Sequence, residues 1–282
     1  MAAMPALSPR AEVEETEFRM SDEEFRRVSQ RVFATCGIVL KDHKRQMVYT
    51  RLARRLRALG MTSFTTYLDM LETPSGAAEE QEFTNAVTTN LTSFFREAHH
   101  FDHLRETLVA PLVKSAARKR VRVWSAGCST GEEPYTIAMT VHAARQAVGD
   151  LRILATDLDT KVLAKAKSGR YAADRVDGLS SEARAMTRRA GGEVEMSAEL
   201  RAMIAFRQLN LLHDWPFGGP FDAIFCRNVL IYFDAPTKAE LVRRFAEMLT
   251  PEGTLYLGHS ESLLGEHPLL ISEGRTIYRR RK

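Results

Sequence analysis

Cysteine is scarce in this chain: Cys36, Cys128 and Cys226 are the only three in 282 residues. They are odd in number and far apart, which excludes a disulfide framework and a metal-ligand spacing among them; a reducing cytoplasm is the expected setting. No apolar run approaches the roughly 20 residues that a membrane span needs, so no membrane insertion is expected. The opening MAAMPALSPRAEVEETEF lacks a basic stretch followed by an apolar core, and a secretory leader is not expected. His99 and His103 form an i,i+4 pair with no evident third ligand, so no metal site is read there. The net charge of +4 is mild, but basic residues cluster at 51–57, 114–122, 188–189 and 279–282. Few aromatics interleave them, which speaks against a stacking platform for nucleic acid. Each cluster reads either as a solvated face or as a contact for nucleic acid or for an acidic protein surface.

What is present centres on residues 121–139, VRVWSAGCSTGEEPYTIAM. An apolar strand runs into a small-residue turn, an acidic pair and an amphipathic helix, the usual first unit of a nucleotide-binding α/β fold. Gly127 and Gly131 do not make the dinucleotide fingerprint, and no lysine follows Gly131 to make a P-loop. Glu132 and Glu133 would repel a pyrophosphate. They suit a cationic or hydroxyl-rich ligand such as S-adenosylmethionine, or they complement the helix dipole.

Before this unit the chain reads as all-helical. Residues 1–18 have the composition of a disordered tail, and Ser21 with Glu24 fits a capping box. Helices are predicted over 43–59, 63–71 and 78–91, the first with Val48, Leu52, Leu56 and Leu59 in one apolar stripe. Arg51, Arg54, Arg55 and Arg57 occupy the rest of its circumference, either as a docking surface for an acidic partner or as a solvated face. The polar loop that follows could deliver Asn90, Thr92 and Arg96 to a ligand, or serve as a capped entry to a helix over 97–117. Strand and helix then alternate: strand 121–124, helix 133–148, strand 151–155. Asp157 stands where an acid holds ribose hydroxyls in doubly wound folds, while Asp159 suits an N-cap. Residues from about 170 to 205 break the rhythm and read as an insertion with short strands or a hairpin. Strand 206–212, strand 222–226, helix 235–249 and strands 254–258 and 276–279 complete the pattern. Arg227, Asn228 and Tyr232 follow a buried strand, at the end that faces the ligand crevice, and are site candidates.

Four stretches carry a family resemblance: TTNLTSFFREAHHF, SAGCSTGEEPYTIAM, ATDLDTKVLAKAKSGRY, and FDAIFCRNVLIYFD with LTPEGTLYLGHSESL after it. Together they resemble the CheR family of chemotaxis receptor methyltransferases. The resemblance implies a Rossmann-like class I α/β methyltransferase domain over 119–282 with a small β insertion. A small all-helical domain over 19–90 and a connecting segment over 91–118 precede it. It implies S-adenosylmethionine as cofactor, S-adenosylhomocysteine as product, and a glutamate side chain on a chemoreceptor's cytoplasmic helices as substrate, in the cytoplasm. Cofactor contacts carry over onto Asn90, Thr92, Arg96, Glu133, Asp157, Asn210, Leu211, Arg227 and Asn228, with Arg96 and Tyr232 near the methyl-transfer point. The basic helix with Arg51, Arg54, Arg55 and Arg57 resembles the family's receptor-docking surface. The insertion resembles the part that in some members holds a receptor's C-terminal peptide. Two other readings compete. A methyltransferase acting on nucleic acid or an amide nitrogen commonly carries Pro-Pro where this chain has Arg227-Asn228-Val229-Leu230, and no nucleic-acid partner is expected. A degenerate fold used as an adaptor would not be expected to keep Arg96, Glu133, Asp157 and Asn228 together.

Overall fold

The computed structural model describes residues 17–115, 120–263 and 265–282. Most of the expected tail, the middle of the basic cluster at 114–122 and the end of the helix drawn to 117 lie outside the described residues.

Four helices open the fold: α1 (Asp22–Cys36), α2 (Arg45–Leu59), α3 (Phe64–Leu71) and α4 (Ala77–Val87). Ser21 and Glu24 form the capping box at the start of α1, and Gly60 ends α2 in the left-handed region. Phe25, Val28, Val32, Val48, Leu52 and Leu56 point inward, where burial of apolar area holds the bundle together. Two expectations need correction. Leu59, the last residue before the cap, is 40% exposed and leaves the apolar stripe. The helix drawn to residue 91 stops at Val87, because the Thr88 hydroxyl and the Asn90 amide both donate to Asp159 Oδ2, 2.8 Å away in each case. A tertiary partner for these side chains outcompetes another helical turn.

A connecting helix follows, with α5 (His99–Leu104) and α6 (Ala110–Ser115) joined by one π-type turn at Arg105–Val109. Pro111 offers no N–H to the turn before it, which favours the wider spacing. The helix starts at His99 rather than at 97, since Phe95 and Glu97 both have positive φ.

The α/β part consists of β1 (Arg120–Ala126), α7 (Glu132–Val141), β2 (Asp150–Asp157), α8 (Thr160–Ser168), β3 (Arg170–Ala172), α9 (Ser181–Ala185), β4 (Thr187–Ala190), β5 (Glu193–Met196), α10 (Ala198–Met203), β6 (Ile204–Gln208), β7 (Phe221–Cys226), α11 (Ala235–Met248), β8 (Leu249–Leu257), β9 (Leu270–Gly274) and β10 (Ile277–Arg280). The main sheet has the order β6-β2-β1-β7-β8-β10-β9. Its first five strands are parallel; β10 pairs antiparallel with β8, and β9 antiparallel with β10. Strand order reverses between β1 and β7, and ligands of open α/β sheets lie beyond the strand ends at such a point. The insertion is a three-stranded antiparallel sheet, β3-β5-β4. Its β4–β5 turn is Gly191-Gly192, both at positive φ, as a two-residue hairpin of this hand requires.

Here too the expected boundaries shift. The helix drawn to 148 ends at Val141 and passes into a 3-10 turn. The short helices α9 and α10 escape the periodicity because five or six residues give too few turns to read. The strand drawn over 206–212 is displaced to 204–208. The turn drawn at 251–253 is a bulge inside β8, and β9 was not anticipated at all.

Candidate functional site

A continuous cleft opens over the ends of β1, β2 and β7. One lobe, an open space of about 880 Å3, is lined mainly by apolar side chains including Ile38, Leu40, Met47, Leu209, Leu211 and Phe233. A second lobe of about 870 Å3 is polar, with Thr92, Ser93, Arg96, Glu133, Arg227 and Asn228 on its walls. Thr89, Asn90, Gly127, Asp157 and Tyr232 line both.

The floor is the turn after β1. Gly127 has φ 85°, and a Cβ there would lie 2.3 Å from Val229 Cγ2, so only glycine lets the two strand ends approach. The N–H groups of Gly127 and Cys128 both donate to Thr156 O at 2.8 Å. Asp157 is fixed from two sides: Ser129 N–H donates to one carboxylate oxygen at 2.7 Å and Asp159 N–H to the other at 3.0 Å. Burial pushes its pKa up to about 6 against those two bonds. Asp159 serves instead as the N-cap of α8, accepting from Lys161 and Val162 N–H. The two acids thus divide between the cleft and the helix end.

At the polar end Arg227 is buried between two carboxylates. Its Nε lies 3.6 Å from Glu133 Oε2 and 3.7 Å from Glu97 Oε2, its guanidinium stands 5.2 Å over the Phe101 ring, and Nη2 donates to Arg96 O. Nε and Nη1 of Arg227 have no hydrogen-bond partner although buried. Such unmet donors are rare and costly, and point to a group that completes them. Burial raises the Glu133 pKa, opposed by Arg227 and by the Ser125 hydroxyl that donates at 2.7 Å. Burial also works to raise Glu97, but Arg227 and His259 outweigh it and hold that carboxyl below its ordinary value.

Residues 23–88 match the family described as CheR methyltransferase, all-alpha domain, and residues 90–278 match CheR methyltransferase, SAM binding domain. The chain belongs to the CheR methyltransferase family. The chemotaxis protein methyltransferase of Escherichia coli (strain K12) is 47% identical over 269 residues, 92% of this chain and 91% of that one. Chemotaxis protein methyltransferase 2 of Pseudomonas aeruginosa is 42% identical over 288 residues, 98% and 99% of the two chains. As a CheR-family member the chain is an S-adenosylmethionine-dependent protein-glutamate O-methyltransferase of chemotaxis.

All ten site residues singled out in the sequence line this CheR-family cleft: Asn90, Thr92, Arg96, Glu133, Asp157, Asn210, Leu211, Arg227, Asn228 and Tyr232. Their side chains are not equally free. Asn90 donates to Asp159, and Asn210 donates to Thr35 O at 2.8 Å. The Arg96 guanidinium reaches only across its own loop, to Leu91 O at 3.0 Å.

The supporting contacts of Glu97, Glu132 and Glu261 were not read in the sequence. Glu261 is 7% exposed, and its carboxylate accepts from Gly258 N–H at 2.6 Å, Asn228 N–H at 2.7 Å and Ile231 N–H at 3.0 Å. It thereby fixes the segment from Asn228, at φ 60°, to Tyr232. Glu132, read as suiting either a cationic ligand or the helix dipole, is 1% exposed and paired with Arg175, which also donates to Thr92 O at 2.7 Å. The β insertion is tied in this way to the cleft loop. The one available signal for Glu261 was an acid shortly after a buried strand; nothing local names its partners. The basic helix is also less free than its sequence suggests. Arg51 donates to Ala86 and Thr88 carbonyls, Arg55 bridges Glu79 and Glu82, Arg57 pairs with Glu17, and Arg54 remains exposed.

Proposed function

We propose that the cleft holds S-adenosylmethionine across its two lobes and admits a chemoreceptor glutamate at the polar end, where the γ-carboxylate becomes a methyl ester. The unmet Nε and Nη1 of buried Arg227 carry the reading. A carboxylate such as that of the cofactor's methionine end completes them. Glu97 and Glu133 outnumber Arg227 when both are ionised, which suits a ligand that also bears an ammonium and a sulfonium. Each Asp157 oxygen accepts one backbone N–H and keeps capacity for a ribose hydroxyl. Asn210, Leu211 and the apolar lobe take the adenine.

When bound, the cofactor supplies a methyl group on a positively charged sulfur. A glutamate side chain, with an ordinary pKa of about 4.3, is ionised near neutrality, so the chain need not supply a base. Its contribution is position and exclusion of water. Arg96, at the polar lobe, steers and holds the entering carboxylate. Tyr232 stays protonated because burial raises its pKa, and its hydroxyl is a donor that orients the reacting groups. The receptor's acidic surface meets α2 through Arg54 and Arg57, the more exposed of its four arginines. The outer strand β4, with Arg188 and Arg189, is the place for a receptor's C-terminal peptide.

The test is transfer from radiolabelled S-adenosylmethionine to receptor-enriched membranes. Base-labile label on a receptor is the expected result. Label in nucleic acid, or no label, overturns the reading.

A further inference from the structure

Six large apolar side chains of the described residues are exposed, and two of them, Leu91 and Ile231, line the same polar lobe. Scattered exposed leucines need no explanation. These two differ in how they are held. Leu91 is 80% exposed and belongs to none of the apolar clusters. It is the one apolar residue in the run Thr88, Thr89, Asn90, Leu91, Thr92, Ser93. Its backbone is nonetheless pinned on every side: Asn90 is anchored on Asp159, Leu91 O accepts from Arg96, and Thr92 O accepts from Arg175. Ile231 is 44% exposed while its neighbour Leu230 is buried, and its N–H is held by Glu261. Two aliphatic side chains are therefore presented to solvent by ordered backbone, beside the cation Arg96. Apolar surface ordered at the edge of an opening gains free energy only when a ligand covers it.

Resting on the placement of the receptor glutamate given above, we propose that Leu91 and Ile231 form an apolar collar that reads the substrate helix on either side of the acceptor. Residues three and four positions away share a helix face with the glutamate, so they come down on the rim when the carboxylate enters. The collar favours apolar or small side chains at those positions and disfavours charged ones, which would be desolvated against it without a partner. Arg96 supplies attraction for the carboxylate, and the collar decides which carboxylate is admitted.

The test measures initial rates of methyl transfer to receptor-enriched membranes for wild type, Leu91→Ser, Ile231→Ser and the double variant, with S-adenosylmethionine affinity followed by calorimetry. Both side chains are exposed, so folding is not at stake. The expected result is a rise in KM for the receptor, about threefold for each lost partly covered aliphatic contact and about tenfold in the double variant. Cofactor affinity stays unchanged. A second measurement uses receptors with lysine introduced four residues from each methylated glutamate. Wild type methylates them poorly, and the double variant loses that discrimination. An unchanged receptor KM, equal discrimination by wild type and double variant, or a fall in cofactor affinity overturns the collar. If wild type transfers no methyl to the unaltered receptor, the preceding placement of the substrate fails instead.

Discussion

Replacing Glu261 with Gln tests whether one buried carboxylate templates the loop that carries Asn228 and Tyr232. Oε2 accepts from Asn228 and Gly258, and Oε1 from Ile231. A glutamine keeps only one of these oxygens. It retains most by placing its carbonyl at the Oε2 position, which sets its amide N–H2 against the Ile231 N–H. One bond is lost with a donor left facing a donor, at about 1–3 kcal/mol, and two charge-assisted bonds become neutral at about 1 kcal/mol each. Burial raises the pKa of this carboxyl despite its backbone bonds, so removing the charge returns part of that sum. A net loss of about 2 kcal/mol is expected, measured by denaturant unfolding at neutral pH. The same change should lower kcat about tenfold, since the segment between Asn228 and Tyr232 loses its anchor and a small misplacement is costly for an oriented reaction. Cofactor affinity should fall less than kcat. A variant with full kcat and stability within about 0.5 kcal/mol of wild type would refute the templating argument.

Arg96→Ala should abolish most methyl transfer with an unchanged fold, because the guanidinium's hydrogen bond is to Leu91 O within its own loop; wild-type turnover at normal stability would remove Arg96 from the reaction. If Asp157 holds the ribose as proposed, cofactor affinity should depend on acid: with its pKa pushed up to about 6 in the folded protein, the carboxylate protonates as pH falls through that value and loses acceptor strength. Calorimetric titration should show affinity weakening below about pH 6 in wild type and no such step in Asp157→Asn. Stability moves the opposite way in that window: a raised carboxyl binds its proton more readily folded than unfolded, so this group's contribution grows as pH falls.

Local patterns were legible in the sequence wherever their partners are local. The capping box of Ser21 and Glu24, the Gly60 stop and the Asp159 cap each involve residues a few positions apart, and all are found. The strand, turn and helix at 121–139 were readable because apolar runs and small residues alternate there at recognisable spacing. The cleft residues that follow strands were readable from the rule that parallel strands end at the ligand crevice. Glu261 was not, because Asn228 and Ile231 lie 33 and 30 positions away and offer only backbone N–H groups, which any sequence would supply. Glu97 escaped for a similar reason: its partner Arg227, just after β7, lies 130 positions on. The end of α4 was misplaced because Thr88 and Asn90 answer to Asp159, about 70 positions on.

The helical segment does more than precede the α/β part, because it completes the apolar lobe. Cys36, Ile38, Leu40, Lys44 and Met47 line that lobe opposite Leu209 and Leu211. The cross-links between the two parts include Asn210 donating to Thr35 O, Val39 N–H donating to Tyr232 O, and Asn85 bonding Thr160. The first two of these links end on residues that themselves line the cleft, Asn210 and Tyr232. A ligand filling the apolar lobe therefore touches both parts of the chain and strengthens the contact between them, since it binds only the joined arrangement. The same helices carry the arginines on α2, and Arg51 donates to the carbonyls of Ala86 and Thr88 just ahead of Asn90. α2, the cleft and the loop bearing Arg96 are thus one hydrogen-bonded assembly, and on the docking proposed above a receptor on α2 would be held at a fixed relation to the polar end of the cleft.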